Sequence, residues 1–279
     1  VSISVATRGQ FRHGRRVLTA IAHRWLVLAV GVIAWEVGTR TATSAYFPPP
    51  SKIVARMHHL WFSGPIAHVF LTSAAEQNIL PSLGRMALGL AASIVVGVAL
   101  GLALGRSERA FEYLDPVLQF ARVIPPPTLV PIFIVLFSVG TQMQLASIIF
   151  SAIWPILLNT ADGARSVDRL QMDTSRVFKL SAADRLFTII IPSTLPKIFA
   201  GLRLSLSLAL ILMVFSELLP GTANGIGFEL VDAQSRSDLP TMWAGIVLLG
   251  ILGYLLNGVL LLVERRMLAW HRTSHGADS

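Results

Sequence analysis

Apolar residues run in long blocks along this chain, separated by shorter polar stretches with unevenly distributed charge. Six blocks approach the roughly 20 residues that a helix needs to cross a hydrocarbon core. They lie at about 18–37, 86–104, 117–139, 143–160, 198–219 and 242–263. The pattern predicts an all-α membrane protein of about six transmembrane helices, forming one domain over 25–270 between polar ends at 1–24 and 271–279. In the interval 41–81, Ile53, Val54, Met57, Leu60 and Trp61 recur at helical spacing, which predicts an amphipathic helix lying along the membrane surface.

The interval 161–197 breaks the pattern, being too polar for a bilayer and too ordered for a linker. It carries six basic residues (Arg165, Arg169, Arg176, Lys179, Arg185, Lys197) and four acids (Asp162, Asp168, Asp173, Asp184). Ala183, Leu186, Phe187 and Ile190 fall on one helical face. Ser181, with Asp184 three residues on, reads as a capped helix start, and Pro192 and Pro196 read as stops. A short amphipathic helix is therefore expected in a loop between two spans, where it can be offered to a partner.

Composition agrees with this class. Hydrophobic residues make up 53% and charged residues 14%, and the mean hydropathy is +0.65, outside the usual soluble range. The net charge of +8 does not point to nucleic acid, because the basic residues follow topology. Sixteen Lys and Arg fall on the side shared by both termini and the 161–197 loop, and four (Arg40, Lys52, Arg56, Arg236) on the other. The positive-inside rule then puts both termini and the loop in the cytoplasm. The first 24 residues are basic and lack a small-residue cleavage site, so the segment after them reads as a retained anchor. With no cysteine there is neither a disulfide framework nor a thiolate metal site.

Within the second block Gly89, Ser93, Gly97, Gly101 and Gly105 place a small residue at every fourth position. Such a face lets another helix approach closely in lipid. The third block is interrupted by Pro125-Pro126-Pro127 and by Pro131, and transporters place such breaks where substrate passes. Arg122 precedes the break, and two readings of it stand: a cation on the translocation path, or an anchor snorkelling to the interface. Glu217 could line an outer gate, pair with a basic group or sit in interfacial water; Glu36 reads as interfacial. Ser147, Ser151, Asn159, Ser205 and Ser207 read first as glue between helices. Together, Arg122, Pro126, Thr128, Ser151, Asn159 and Glu217 are the candidate pathway residues. No HExxH pattern and no GxxxxGK[ST] phosphate loop occurs, so the chain is expected to be no enzyme and to bind no ATP itself.

The order Asp173-Thr174-Ser175, Lys179-Leu180-Ser181, Ile191-Pro192, Leu195-Pro196 resembles the coupling loop of bacterial ABC-importer permeases, often written EAA, three residues, G, about nine residues, I-x-L-P. The resemblance covers roughly 48–270. It includes Phe47-Pro48-Pro49-Pro50-Ser51, Leu114-Asp115-Pro116, Ile124-Pro125-Pro126 and Glu264-Arg265-Arg266, and it is nearest to permeases for alkanesulfonate, taurine and nitrate. Asp173 replaces the usual Glu, Thr174 and Ser175 the alanines, and Lys179 the Gly. The resemblance implies a type I importer permease fold in a bacterial inner membrane, moving a small solute such as a sulfonate, taurine or nitrate. It implies a second permease copy and two cytoplasmic ATPase subunits that bind ATP and Mg, with an extracytoplasmic binding protein delivering the substrate. Asp173, Thr174, Ser175, Phe178, Lys179, Leu180, Ser181 and Ala182 would couple to the ATPase. An ion-coupled secondary transporter using Glu217 is the alternative; it gives no reason for the loop. A membrane enzyme is the third reading, and it lacks a nucleophile or metal constellation.

Overall fold

The computed structural model describes residues 25–42 and 46–268, and the chain ends at 1–24 and 269–279 lie outside the described residues. The elements are helical: α1 (Trp25–Ala42), α2 (Pro50–Trp61), a 3-10 turn (Ile66–His68), α3 (Ser73–Gly105), α4 (Glu108–Val123), α5 (Pro126–Phe137), α6 (Thr141–Arg165), α7 (Arg169–Val177), α8 (Ala182–Arg185), a π-helical segment (Leu186–Ile190), α9 (Ile191–Glu217), α10 (Ile226–Ser235) and α11 (Leu239–Met267). Helix α6 is the hub, and its interfaces with α3 and α9 are the two largest in the fold. Helices α2, α10 and α11 close the core, which gathers Trp61, Ile79, Ile148, Leu212, Met213, Ile226 and Leu248. Helix α1 joins it through Trp35, whose ring meets Trp243 edge-on at 5.2 Å. Glu36 ties α1 to α2 by accepting from the Ser51 N–H (2.9 Å) and hydroxyl (2.7 Å).

Five described helices, or continuous helical runs, are long and apolar enough to cross a membrane. The expected third span is not one helix: α4 and α5 meet at 90°, so a sixth crossing exists only as a bent pair. Consecutive prolines explain the bend. Ile124, before Pro125, is held extended (ψ 119°), and so is Pro125 before Pro126 (ψ 118°). Pro131, expected as a second break, lies inside α5. The first helix is described over Trp25–Ala42 and ends five residues beyond the expected 37; the expected positions 18–24 lie outside the described residues.

Helix α3 begins thirteen residues before the expected 86, because Thr72 caps it by accepting from the Ala75 N–H (3.3 Å). Hydropathy marks the part of a helix that crosses hydrocarbon, and the polar start of α3 falls outside that part. Pro192 and Pro196 stop nothing. Pro192 directly follows the π-helical segment and Pro196 lies one turn further on, both carried within the continuous helical run Ala182–Glu217. The expected amphipathic helix is α2, and its apolar face packs against protein, with Val54 left exposed. Ile53, Met57 and Trp61 are buried in the core, and the Trp61 indole N–H reaches the Glu229 carboxylate at 3.1 Å.

Candidate functional site

At one end of the molecule α7 and α8 stand on the ends of α3, α6 and α9. Asp168 caps α7 by accepting from the Leu170 N–H at 3.0 Å. Ser181 caps α8 by accepting from the Asp184 N–H at 3.1 Å, with the Ser181 hydroxyl 2.6 Å from the Asp184 carboxylate. Between the two helices Lys179 adopts φ 52°, a left-handed conformation that glycine takes at no steric cost. The Lys179 N–H bonds to the Arg176 carbonyl (3.0 Å) and the Leu180 N–H to that of Ser175 (3.0 Å), closing the turn.

The residues proposed from sequence for coupling are thus gathered in one helix–turn–helix, but not all present themselves. Asp173, Thr174, Phe178, Lys179, Leu180, Ser181 and Ala182 are exposed. Ser175 is turned inward, 2% exposed, with its hydroxyl donating to the Met172 carbonyl at 2.6 Å. Phe178 is 74% exposed, and Leu170, Val177 and Phe187 are likewise open. Large apolar side chains displayed among charges mark a surface that another molecule covers. Beyond Phe187 the π-helical segment leads into α9 without interruption, so Ala182–Glu217 is one continuous helical run.

The far end of α9 carries a buried ion pair. Arg85 Nη2 lies 2.7 Å from Glu217 Oε1, with the two side chains 9% and 1% exposed. The Ser82 hydroxyl is 2.8 Å from both Glu217 oxygens, and the Gly227 N–H donates to Oε2 at 3.0 Å. Arg85 also donates from Nη1 to the Asn224 side chain (3.0 Å) and from Nη2 to its carbonyl (3.2 Å). Gly225 allows this approach: at φ +131°, an added Cβ would sit 2.5 Å from the Glu217 carboxyl carbon. Each Glu217 oxygen therefore has a donor, Arg85 on Oε1 and Gly227 on Oε2, and Glu217 is a clasp between α3 and the α9–α10 connection. Sequence separation hid the partner, 132 positions away; the signal was that Arg85 also fell within an apolar region.

The other pathway candidates form separate groups. Arg122, exposed in the last turn of α4, has no hydrogen bond or ion pair among the described residues. Pro126 opens α5 beside it, and the Thr128 hydroxyl donates to the Pro125 carbonyl at 2.7 Å, so these three share the bend. On α6, Ser151 is buried with an unpartnered hydroxyl, and the Asn159 amide donates back to the Pro155 carbonyl at 2.8 Å. Ser205 does bridge helices, donating from α9 to the Ala152 carbonyl of α6 at 2.6 Å.

The small-residue face of α3 lies against α6. A Cβ added at Gly89 would meet Ile148 Cγ2 at 2.6 Å, one at Gly97 the Ile156 Cγ2 at 3.0 Å, and one at Gly105 the Ala161 carbonyl oxygen at 2.5 Å. At Gly101 it would meet Thr160 Cβ at 2.6 Å and the Leu157 carbonyl oxygen at 2.7 Å. The four glycines thus set the distance between the two central helices.

Residues 93–269 match the model of a family described as binding-protein-dependent transport system inner membrane component. The chain is 31% identical over 254 residues to the putative aliphatic sulfonates transport permease protein SsuC of Bacillus subtilis, covering 90% of this chain and 88% of that one. To the nitrate import permease protein NrtB of Synechocystis sp. it is 31% identical over 239 residues, 86% of each chain. A solved chain of the inward-facing MetNI methionine ABC transporter superposes with a TM-score of 0.57 at 17% identity, over 68% of this chain and 94% of that one. At that identity the likeness is one of fold.

Proposed function

The chain belongs to the family of binding-protein-dependent transport system inner membrane components, multi-pass proteins of the bacterial cell membrane, and on that premise we propose that it is the membrane-spanning subunit of an ATP-driven importer of a small anion. The observation that carries this reading is the unbroken helical run Ala182–Glu217. It joins a displayed apolar face at α7–α8 to the buried core, as a part that receives force from a partner requires. In this reading the α7–α8 end faces the cytoplasm and docks on ATPase subunits that bind ATP and Mg. Two copies of the chain enclose the pathway near the α4–α5 bend, and an extracytoplasmic binding protein delivers the cargo. The relatives named for sulfonates and nitrate support an anion. Glu217 is engaged by Arg85, Ser82 and Gly227 as a structural clasp, which supports the importer reading over the ion-coupled alternative.

Cysteine crosslinking tests the docking. In this naturally cysteine-free chain, single cysteines at Phe178 and Ala182, both exposed, should crosslink to the ATPase subunit. A cysteine at the inward-facing Ser175 should react far less. Crosslinks from Arg109 on α4, with none from Phe178 or Ala182, would move the interface elsewhere and sink the assignment.

A further inference from the structure

Between the ends of α3 and α6 and the inner faces of α7 and α8 lies a cleft of about 710 Å³. Five arginines line it: Arg106 from the α3–α4 turn, Arg165 from the end of α6, Arg169 and Arg176 from α7, and Arg185 from α8. Only Glu108 and Asp162 among the lining residues are acidic, leaving a net +3 (five minus two). Asp162 is already engaged by Lys197 at 2.6 Å, and Arg176 by Asp173 at 2.8 Å. Arg165 stacks over the Phe111 ring, 4.1 Å from its centroid. The side chains of Arg106 and Arg169 have no ion pair or hydrogen bond among the described residues, and the buried Nε of Arg185 has no acceptor.

Positive-inside topology requires basic residues on one side of a membrane; it does not require them to converge. Four separate elements bring these five guanidiniums to one concavity. Like charges so placed repel unless an anion lies between them. Guanidinium forks match phosphate oxygens two at a time, and at this cleft the Arg106 and Arg169 guanidiniums and the Arg185 Nε have no protein acceptor among the described residues. We propose that this cleft is a binding site for a phosphate-bearing anion, either a soluble phosphate or the headgroup of an anionic lipid at the membrane surface. Once bound, the anion braces α7 and α8 against the ends of α3 and α6. The proposal rests on the cleft alone and is independent of the transport reading.

The test is thermal unfolding of the purified full chain in a neutral detergent. One arm adds sodium phosphate against sodium chloride of equal ionic strength; the other adds phosphatidylglycerol against phosphatidylcholine. A site that binds the folded chain raises Tm with the logarithm of ligand concentration. A rise in the first arm assigns a soluble phosphate, and a rise confined to the second assigns a lipid headgroup. Arg169→Gln, an exposed change on α7, should raise the half-effective concentration by about tenfold, the scale of one charge-assisted bond. Arg169→Gln with Arg185→Gln should abolish the rise, whereas Arg265→Gln on α11, outside the cleft, should leave it intact. Equal rises in all variants would mean general charge screening and overturn the site. No rise in either arm would overturn the site, and loss of the co-expressed ATPase subunit from the double variant in a separate purification would give the arginines to a protein partner.

Discussion

Gly101→Ala isolates what the contact of α3 with α6 contributes. The new Cβ would sit 2.6 Å from Thr160 Cβ and 2.7 Å from the Leu157 carbonyl oxygen, one of them backbone that cannot swing aside. Ordinary contact lies near ~3.5–4.0 Å, so the helices must part by about 1 Å, which forfeits a quarter to a half of each neighbouring dispersion contact. Overpacking of this kind costs about 1–3 kcal/mol. Gly84 supplies the control on the same helix, since nothing lies within 4 Å of a Cβ built there. Alanine in place of that glycine should stabilise by about 0.5–1 kcal/mol through the unfolded chain. The same chemical change is thus expected to have opposite signs at two places 17 residues apart (101 minus 84). At about 2–4 °C per kcal/mol for a chain of this size, the two Tm values in detergent should differ by roughly 3–16 °C. A Gly101→Ala protein as stable as Gly84→Ala would show that the glycines do not set the helix separation.

Lys179→Gly should stabilise the α7–α8 turn by up to about 1 kcal/mol and slow its proteolysis, because the left-handed φ is strained for a side chain; Lys179→Val should do the reverse, and indifference to both would deny the strain. Glu217→Ala should cost about 3–5 kcal/mol by leaving Arg85 buried without its counter-charge. Arg85→Met with Glu217→Met should recover much of that stability, and a double variant no better than the single would refute the clasp. Arg122→Ala should lower anion transport per assembled complex while ATPase assembly persists, with partial recovery in Arg122→Lys. A normal rate per complex would make Arg122 a membrane anchor.

The legible parts of this fold were local. The Ser181 cap needed only Asp184 three residues on, the bend at 124–125 only a run of prolines, and the small face of α3 only a period of four. Three kinds of feature escaped. Helix ends beyond the apolar zone, such as the start of α3 at Ser73, are fixed by caps that hydropathy does not register. Pro192 and Pro196 read as stops because each lacks an N–H, yet a packed helix carries both, with the π-helical segment directly before Pro192. The Arg85–Glu217 pair and the inward turn of Ser175 depend on tertiary placement, which no local window contains. Lys179 was legible in part: the mismatch with glycine flagged the position, and φ 52° shows the side chain accepting the glycine conformation.

The close approach at Gly201 gives the continuous helix a fulcrum. A Cβ there would lie 2.6 Å from the Pro155 carbonyl oxygen and 3.1 Å from Asn159 Cβ, so α9 rests on α6 nearly backbone to backbone. At 1.5 Å per residue the arm from Ala182 to Gly201 is about 29 Å and the arm from Gly201 to Glu217 about 24 Å. Were the run to tilt as one body about that contact, its two ends would move in opposite directions by similar amounts. A push at α8 toward one side would carry the Glu217 end almost as far toward the other, and the π-helical segment, the loosest coil of the rod, would lie on the driven arm.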